Sequence, residues 1–317
     1  MANTSPPRCT QKKRRKGKGA AGPACYFRGM TSLISRRLPG LVASLAFAAF
    51  LTVCPAALAQ LGEEVPFITS PDNVTLEMLR IANVGRRDHV IDLGSGDGRI
   101  VIQAARRFGA TGLGVDIDAQ LVRQSLRNAK QAGVADRVEF REEDLFATDL
   151  ASATVVTMYL LPEFNLKLRP RLLALQPGTR VVSHDWDMGD WQPDRTTVLP
   201  VPDKAVGLEK SSKIHLWVVP ARVQGLWCGI GKLRGVALEL SQRYQVLGGT
   251  LAERGRSRAL EGRIGGNTFE LSDGRRGRLR LQSLGDELRV TAARGVRAVA
   301  HGQRFRRAIP GPHGCAT

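Results

Sequence analysis

Short apolar runs alternate with amphipathic stretches between residues 89 and 219, and this alternation constrains the fold more than any other feature of the sequence. The amphipathic stretches at 99–108, 119–131 and 163–175 have helical spacing, and each ends near a glycine. Strands that alternate with helices predict βαβ units and a parallel sheet. We therefore expect a doubly wound, Rossmann-like α/β domain. The apolar runs that predict its strands cover residues 89–93, 112–115, 137–140, 153–160, 179–183 and 214–219.

Two neighbouring regions differ in character from this central one. Val74, Met78, Leu79 and Ile81 have helical spacing after a cap at Asp72 or Asn73, and they predict a helix before the first strand. Beyond residue 221 the periodicity changes to two, and Gly-Gly, Asp-Gly and Gly-Asp turns interrupt it about every eight to twelve residues. This pattern predicts a small antiparallel all-β domain, either a sandwich or an open barrel. The expected organisation is an N-terminal extension over residues 1–59, an α/β domain over 60–220 and a β-rich domain over 221–317.

The net charge of +18 on 317 residues is unevenly distributed. Residues 1–59 contain ten Lys and Arg and no acid, residues 60–220 contain 19 against 22 acids, and residues 221–317 contain 18 against seven. The central region is therefore nearly neutral, and the charge is not that of a nucleic-acid-binding enzyme core. On the β-rich domain the arginines form either an ordinary solvated face or a surface for acidic lipid headgroups. Few aromatic residues accompany them, so we expect no nucleic-acid partner.

The N-terminal extension contains a signal-peptide pattern. A basic stretch with Arg36 and Arg37 precedes an apolar run over residues 41–53, and Ala57-Leu58-Ala59 forms a small-x-small cleavage site. We expect Met30 to be the true start, cleavage after Ala59, and export to the periplasm or cell envelope. If the segment is not cleaved, residues 41–58 anchor the protein in a membrane. The alternative for the basic stretch before Met30 is a nuclear-type or nucleic-acid-binding tail.

The cysteines are consistent with export. The chain has five, with no CxxC pair, so a zinc site is not predicted. Removal of the leader leaves Cys228 and Cys315. In an oxidising compartment they either pair or remain two free thiols.

The loop after the first apolar run, "VIDLGSGDGRI", is a nucleotide-binding turn. Glycine allows close approach of the backbone to a ligand, and the following helix presents free N–H groups. A P-loop requires a Gly-Lys-Ser/Thr end, which is absent. A dinucleotide fingerprint requires Gly-x-Gly-x-x-Gly, whereas here the glycines are spaced two apart.

The spacing Asp92-x-Gly94-x-Gly96-x-Gly98 resembles motif I of the class I S-adenosylmethionine-dependent methyltransferases. Asp116 ends the second apolar run, and the resemblance implies that its carboxylate binds the ribose hydroxyls. Asp144 and Leu145 follow the third run, where the family places an acid and an apolar residue against the adenine. The resemblance implies S-adenosylmethionine as the cofactor. Its predicted binding residues are Asp92, Gly94, Gly96, Gly98, Asp116, Asp144 and Leu145.

Longer stretches between residues 65 and 195, among them "DLFATDLASATVVTMYLLPEFNLKLRPRL" and "PGTRVVSHDWDMGDWQPD", are similar to one branch of these enzymes. That branch contains the mitochondrial lysine methyltransferases of the ATP synthase c subunit and of the adenine nucleotide translocase. The resemblance implies a protein-lysine N-methyltransferase with a protein substrate. The leader and the β-rich domain depart from the branch. The alternative is a methyltransferase-like binding protein of the cell envelope without catalytic activity.

The stretch "TMYLLPEFN" follows the fourth run, where amine-directed methyltransferases line the channel of the nucleophile. We expect Tyr159 and Pro162 to line that channel and Glu163 or Asn165 to contact the amine. The alternatives are a core aromatic for Tyr159 and an acid at a helix N-terminus for Glu163.

The stretch "SHDWDMGDW" is rich in acids and contains His184. Its spacing matches no metal-ligand motif, so we expect no metal. Trp186 and Trp191 either wall an alkylammonium by cation–π contact or close the end of the sheet.

Overall fold

A computed structural model of the protein describes residues 68–204, 209–274, 277–294, 300–309 and 315. These residues belong to one compact unit, Leu61–Thr317. The predicted leader, with its start at Met30, its cleavage after Ala59 and its alternative as an anchor over 41–58, lies outside the described residues. Within the described part, no helix combines the length and apolar character that a membrane crossing needs.

The central region folds as four helices and seven strands. The helices are α1 (Asp72–Ile81), α2 (Arg99–Phe108), α3 (Ala119–Gln131) and α4 (Pro162–Leu172). The strands are β1 (His89–Leu93), β2 (Thr111–Asp116), β3 (Val138–Glu142), β4 (Val155–Met158), β5 (Arg180–His184), β6 (Arg195–Pro200) and β7 (Ser211–Val218).

The seven strands form one sheet in the order β3-β2-β1-β4-β5-β7-β6. The first five strands in this order are parallel, and β7 runs antiparallel to both β5 and β6. Strand β4 is buried along its whole length, as is typical of a parallel strand covered on both faces by helices. The prediction of a doubly wound α/β sheet is confirmed.

The helix boundaries follow from local chemistry. Gly98 and Gly109, both at positive φ, flank α2, and the N–H groups of Gly109 and Ala110 donate to the carbonyls of Ala105 and Ala104. The Asp118 carboxylate accepts a hydrogen bond from the Gln120 N–H and caps α3. Helix α4 starts at Pro162, the first helical position, where the missing N–H carries no cost.

The C-terminal region forms a closed antiparallel barrel of eight strands. Each strand pairs with the next, and the last pairs with the first. The predicted all-β domain is confirmed, but its edges close on each other instead of forming a sandwich or an open barrel. The strands are β8 (Gly225–Ile230), β9 (Val236–Arg243), β10 (Val246–Glu253), β11 (Arg256–Gly265), β12 (Thr268–Ser272), β13 (Arg278–Ser283), β14 (Glu287–Arg294) and β15 (Arg304–Arg307).

Alternate side chains of the barrel strands point inward and form its core. On β9, for example, Leu238 and Leu240 are buried while the residues between them are more exposed. Trp227, Phe269 and Phe305 are the largest side chains of this core. A disulfide joins Cys228 on β8 to Cys315. Of the two alternatives for these cysteines, the structure has the paired one.

The barrel is attached to the sheet through a tryptophan. Trp191 is fully buried, packs against Trp217 and Tyr244, and donates its indole N–H to Gln245 Oε1 at 3.0 Å. The Tyr244 hydroxyl in turn donates to the Asp190 carboxylate. Trp191 therefore packs the barrel against the sheet, a role that neither predicted alternative gave it.

Candidate active site

A cavity of about 1000 Å³ lies at the carboxyl ends of β1, β2 and β4. The order of the strands reverses between β1 and β4, and open α/β sheets bind their ligands outside such a switch point. Part of the lining comes from the glycine loop and the ends of β2 and β3, and part from the segment before α1 and from α4.

The glycine loop follows β1 closely. Gly94, Gly96 and Gly98 all have positive φ, at 74°, 55° and 79°. A Cβ at Gly98 would lie 2.7 Å from the Phe140 ring and 2.9 Å from Ser125 Cβ. Glycine is therefore required at position 98 both by conformation and by space. Gly94 and Gly96 line the cavity, and Gly98 begins α2 behind them.

Asp116 lies at the end of β2 and is fixed by two backbone donors. Its Oδ2 accepts a hydrogen bond from the Gly96 N–H at 2.8 Å, and its Oδ1 accepts one from the Asp118 N–H at 3.0 Å. Since a carboxylate has about four acceptor positions, two remain for a ligand. The side chain lines the cavity, so the structure places Asp116 where vicinal hydroxyls can donate to it.

The opposite wall is apolar. Leu145 and Phe146 line the cavity after β3, and the Phe146 ring stacks on Phe164 of α4 with centroids 5.6 Å apart. Asp144 also lines the cavity and accepts the Phe146 N–H, which fixes this turn. Ile117 is 79% exposed beside Asp116, an unusual position for a large apolar side chain. We did not predict Ile117, Phe146 or Phe164, although Ile117 and Phe146 directly follow predicted residues.

Asp92 forms the floor of the cavity and is only 2% exposed. Its Oδ1 accepts a hydrogen bond from the Thr157 hydroxyl at 2.7 Å. Burial raises the pKa of Asp92 to about 7, the Thr157 hydrogen bond opposes this rise, and the neighbouring Asp116 and Asp97 carboxylates add to it. A cationic ligand in the cavity would favour the charged form of Asp92.

The segment before α1 covers one side of the cavity. Arg99 pairs with Asp97 at 2.7 Å and donates to the Ser70 carbonyl, also at 2.7 Å. Ser70, Asp97 and Arg99 all line the cavity, and sequence analysis predicted none of them as site residues. The contact between Arg99 and Ser70 spans 29 residues, so no local pattern indicates it.

Tyr159 lines the cavity at the end of β4 and stacks on His184 with ring centroids 3.9 Å apart. His184 is buried, and its two ring nitrogens are hydrogen-bonded to the hydroxyls of Ser70, at 2.8 Å, and Ser212, at 2.9 Å. Burial lowers the pKa of His184 to about 4, against the attraction of Asp185. The neutral imidazole therefore holds the Tyr159 ring in place. Burial also raises the pKa of Tyr159, so its hydroxyl remains a donor.

The structure brings only part of the predicted amine-contacting set to the cavity. Tyr159 is in the lining, together with Leu160 and Phe164. Pro162 and Glu163 lie in the first turn of α4, with Glu163 exposed, and neither is in the lining.

Asn165 is fully buried behind the cavity wall. Its Nδ2 donates to Ser183 Oγ at 3.1 Å and to the carbonyls of Trp186 and Asp187. Its Oδ1 has no hydrogen-bond partner among the described residues. In this structure Asn165 therefore ties α4 to the end of β5, and contact with an amine stays a prediction.

The acids of the stretch around His184 have structural partners. Asp185 pairs with Lys204 at 2.8 Å, Asp187 accepts the Gly189 N–H, and Asp190 pairs with Arg169 and Arg243. In the described part of the chain, no group of three or more His, Cys, Asp or Glu side chains is arranged to hold a metal ion.

The cavity fits a nucleoside. It offers the Asp116 acceptor between an apolar wall and a glycine loop, and the buried Ser95 hydroxyl in that loop has no hydrogen-bond partner among the described residues. A doubly wound sheet with an acid after β2 and an apolar turn after β3 defines the class: an S-adenosylmethionine-dependent methyltransferase. Asp116 would hold the ribose, and Ile117, Leu145 and Phe146 would hold the base.

Comparisons with known proteins give the family. The family model of the ANTKMT methyltransferase domain matches residues 92–195. A protein-lysine N-methyltransferase of Saccharolobus islandicus is 44% identical over 131 residues, which cover 41% of this chain and 81% of that protein. The Homo sapiens lysine N-methyltransferase of the ATP synthase c subunit is 31% identical over 165 residues, which cover 50% of this chain and 69% of the human protein.

Among solved structures, an RNA methyltransferase from Salinibacter ruber in complex with S-adenosyl-L-homocysteine is 52% identical, with a TM-score of 0.44. The match covers 49% of this chain and 96% of that one. The chain belongs to the methyltransferase family that contains the Saccharolobus and human relatives. It is an enzyme that uses S-adenosylmethionine as methyl donor, and the resemblance predicted from the sequence is confirmed.

Proposed function

We propose that the enzyme methylates the side-chain amine of lysine residues in a protein substrate. The observation that carries this proposal is the 44% identity to a protein-lysine N-methyltransferase over most of that relative's length. The human relative, at 31% identity, is also a lysine N-methyltransferase by name. The alternative of a binding protein without activity is not favoured, because the relatives are methyltransferases and the cavity retains its predicted acids.

The chemistry requires alignment and a neutral nucleophile. Methyl transfer from a sulfonium is an in-line displacement, in which the lysine nitrogen forms a bond to the methyl carbon as the carbon–sulfur bond breaks. Lysine has a pKa near 10.4, so holding it neutral at pH 7 costs about 4.6 kcal/mol. An apolar passage lowers this cost by disfavouring the ammonium form.

Three side chains of the cavity lining suit such a passage. Leu160 and Phe164 are apolar, and the Tyr159 ring is held between the cavity and the neutral His184. Their role in this proposal is to exclude water from the amine and to orient it. The bound donor supplies the methyl group.

We expect methyl-labelled S-adenosylmethionine to transfer label to protein lysine. The full chain is incubated with the label and a membrane-protein fraction of its source cells, and methyl-lysine is identified by peptide mass spectrometry. The Asp136→Ala variant is the control for an active enzyme, because Asp136 is exposed and outside the cavity lining. Label found in RNA, or in protein at side chains other than lysine, would overturn the proposal while leaving the methyltransferase assignment intact.

We also propose that the enzyme works outside the cytoplasm, at the envelope. The leader pattern over residues 30–59 and the disulfide between Cys228 and Cys315 support this location, since disulfides persist in oxidising compartments. The basic β-rich domain supports association with an acidic membrane surface. In this location the enzyme depends on a supply of S-adenosylmethionine from the cytoplasm, where it is made.

Export is tested on the protein purified from its natural compartment. We expect the mature chain to begin at Gln60 and the two cysteines to resist alkylation until a reductant is added. A chain that begins at Met1 or Met30 and reacts without reductant would contradict export.

A further inference from the structure

A second cavity, of about 480 Å³, lies in the barrel, and the methyl-transfer site does not use it. Its volume is within the range of about 300–1,000 Å³ that is typical of small-molecule sites. The interior of a closed barrel of eight strands either is filled by its own side chains or holds one small ligand, and here the core side chains leave this cavity beside them. The residues that line the cavity are Leu233, Val236, Leu251, Glu253, Arg254, Arg256, Arg258, Leu279, Ala300 and Phe305.

The inner part of this cavity is apolar. Val236, Leu251, Leu279 and Phe305 belong to the barrel core and are buried. These side chains come from four different strands, β9, β10, β13 and β15, so the apolar part of the lining does not belong to a single strand. A hydrocarbon group is the ligand that such a surface accepts.

The outer part of the cavity is basic, and the strand periodicity explains why. On β11, Leu260 and Ile264 are buried in the core, and Arg256 and Arg258 share their parity. These two arginines therefore occupy inward-facing positions where the strand extends beyond the core. Arg254 lies in the turn between β10 and β11.

The charges at this end of the barrel are not balanced. Arg258 lies 4.0 Å from Asp273, while Arg254 and Arg256 form no ion pair with any described residue. Glu253 is the acid in the lining and stands opposite Arg256 in the β10–β11 pair. With Arg258 paired to Asp273, the guanidinium groups of Arg254 and Arg256 stand against the Glu253 carboxylate, and the net positive charge that remains favours a negatively charged ligand group.

We propose that the barrel binds a small anionic amphiphile, with its hydrocarbon chain among Leu251, Leu279 and Phe305 and its carboxylate at Arg254 and Arg256. A long-chain carboxylate has both of the required parts. This site is independent of the methyl-transfer reaction and gives the β-rich domain a function of its own.

The test is displacement of a fluorescent fatty acid, dansyl-undecanoic acid, from the full chain. We expect dodecanoate to displace it, and octanoate to compete more weakly, because each buried methylene contributes about fourfold in affinity. Dodecanol lacks the charge and should compete at least about tenfold more weakly than dodecanoate. Saturating S-adenosylhomocysteine should have no effect, which separates this cavity from the methyl-transfer site.

Two variants test whether the carboxylate of the ligand binds at Arg254 and Arg256. In the Arg254→Gln/Arg256→Gln variant, dodecanoate should bind at least about tenfold more weakly, while dodecanol is unaffected. Arg289→Gln is the matched control, since Arg289 is an exposed barrel arginine with no ion pair among the described residues and lies outside the lining. Both variants keep the barrel core intact.

Three results would overturn the proposal. The first is no displacement by dodecanoate, and the second is equal binding by the double variant and the control. The third is binding to phosphatidylglycerol vesicles without binding of monomeric dodecanoate, which would make the arginines a membrane-surface patch and not the mouth of a ligand site.

Discussion

The Asp116→Ala variant is expected to bind S-adenosylmethionine at least about 100-fold more weakly than the wild-type enzyme. The Asp116 carboxylate is fixed by the N–H groups of Gly96 and Asp118 and retains acceptor positions toward the cavity. Each hydrogen bond from a ligand hydroxyl to a charged acceptor contributes about 1.5–3 kcal/mol, so loss of two exceeds about 2.7 kcal/mol, which is a factor of about 100. Titration calorimetry measures the affinity.

Loss of the carboxylate also removes one support of the glycine loop, at Gly96, and one of the turn before α3, at Asp118, so the variant series separates binding from loop geometry. Asp116→Asn keeps an acceptor of the same shape without the charge, and it should give an intermediate affinity. Asp136→Ala removes an exposed acid outside the cavity and should leave the affinity unchanged. Wild-type affinity in Asp116→Ala would refute the assignment of Asp116 to the ribose.

A second large effect is expected in the pH dependence of stability. Asp92 has a folded-state pKa of about 7, above its ordinary value of 3.8, so its contribution is fully present below pH 3.8 and is lost as the pH rises to 7. This loss in the free energy of unfolding amounts to about 4 kcal/mol.

The contribution of His184 to stability changes with pH in the opposite direction. Its folded-state pKa of about 4 lies below its ordinary value of 6.5, so about 3 kcal/mol of the free energy of unfolding is lost as the pH falls from 6.5 to 4.

Between pH 4 and pH 6.5, a rise in pH lowers the contribution of Asp92 to the free energy of unfolding and raises that of His184. Single variants separate the two contributions. Relative to wild type, Asp92→Asn should gain stability as the pH rises from 4 to 7, and His184→Gln should gain stability as the pH falls from 6.5 to 4. Urea unfolding followed by circular dichroism measures both differences. The matched controls are Asp136→Asn and His301→Gln, both at exposed positions.

Burial fixes the sign of the contribution of His184 to stability, and the charged groups that face it do not reverse this sign. Asp185 raises its pKa and Lys204 lowers it, but burial is the largest effect. Differences from wild type that do not change with pH would show that neither buried group titrates as described.

Much of the sheet was predictable because its signals are local. Helices α2 and α3 have the predicted bounds, since Gly98, Gly109 and Asp118 mark their ends in the sequence. Strand β6 was missed because it is an edge strand: its residues are exposed or half-buried and its last residue is proline, so no apolar run indicates it.

Closure of the barrel was not predictable from the turns. Those turns are local, whereas the pairing of β15 with β8 joins residues more than 70 positions apart. The repeated Gly-rich turns therefore indicated antiparallel strands, but not whether the first and last strands would meet.

The site, like the fold, combines residues that local patterns indicate with residues that only long-range contacts bring there. The predicted cofactor residues lie on one glycine loop and two strand ends, and a parallel sheet brings such ends together. The contact between Ser70 and His184 spans 114 residues, so no local pattern indicates that His184 supports Tyr159. Asn165 shows the converse: its place in the quoted motif suggested an amine contact, while its burial is set by β5 and the residues that follow it.

Direct titration of the full chain tests whether the cavity at the ends of β1, β2 and β4 binds S-adenosylmethionine. We predict one-to-one binding of S-adenosylmethionine and of S-adenosylhomocysteine, competition between the two, and no binding of NADH. Binding of NADH, or no binding of S-adenosylmethionine by the folded chain, would contradict the account.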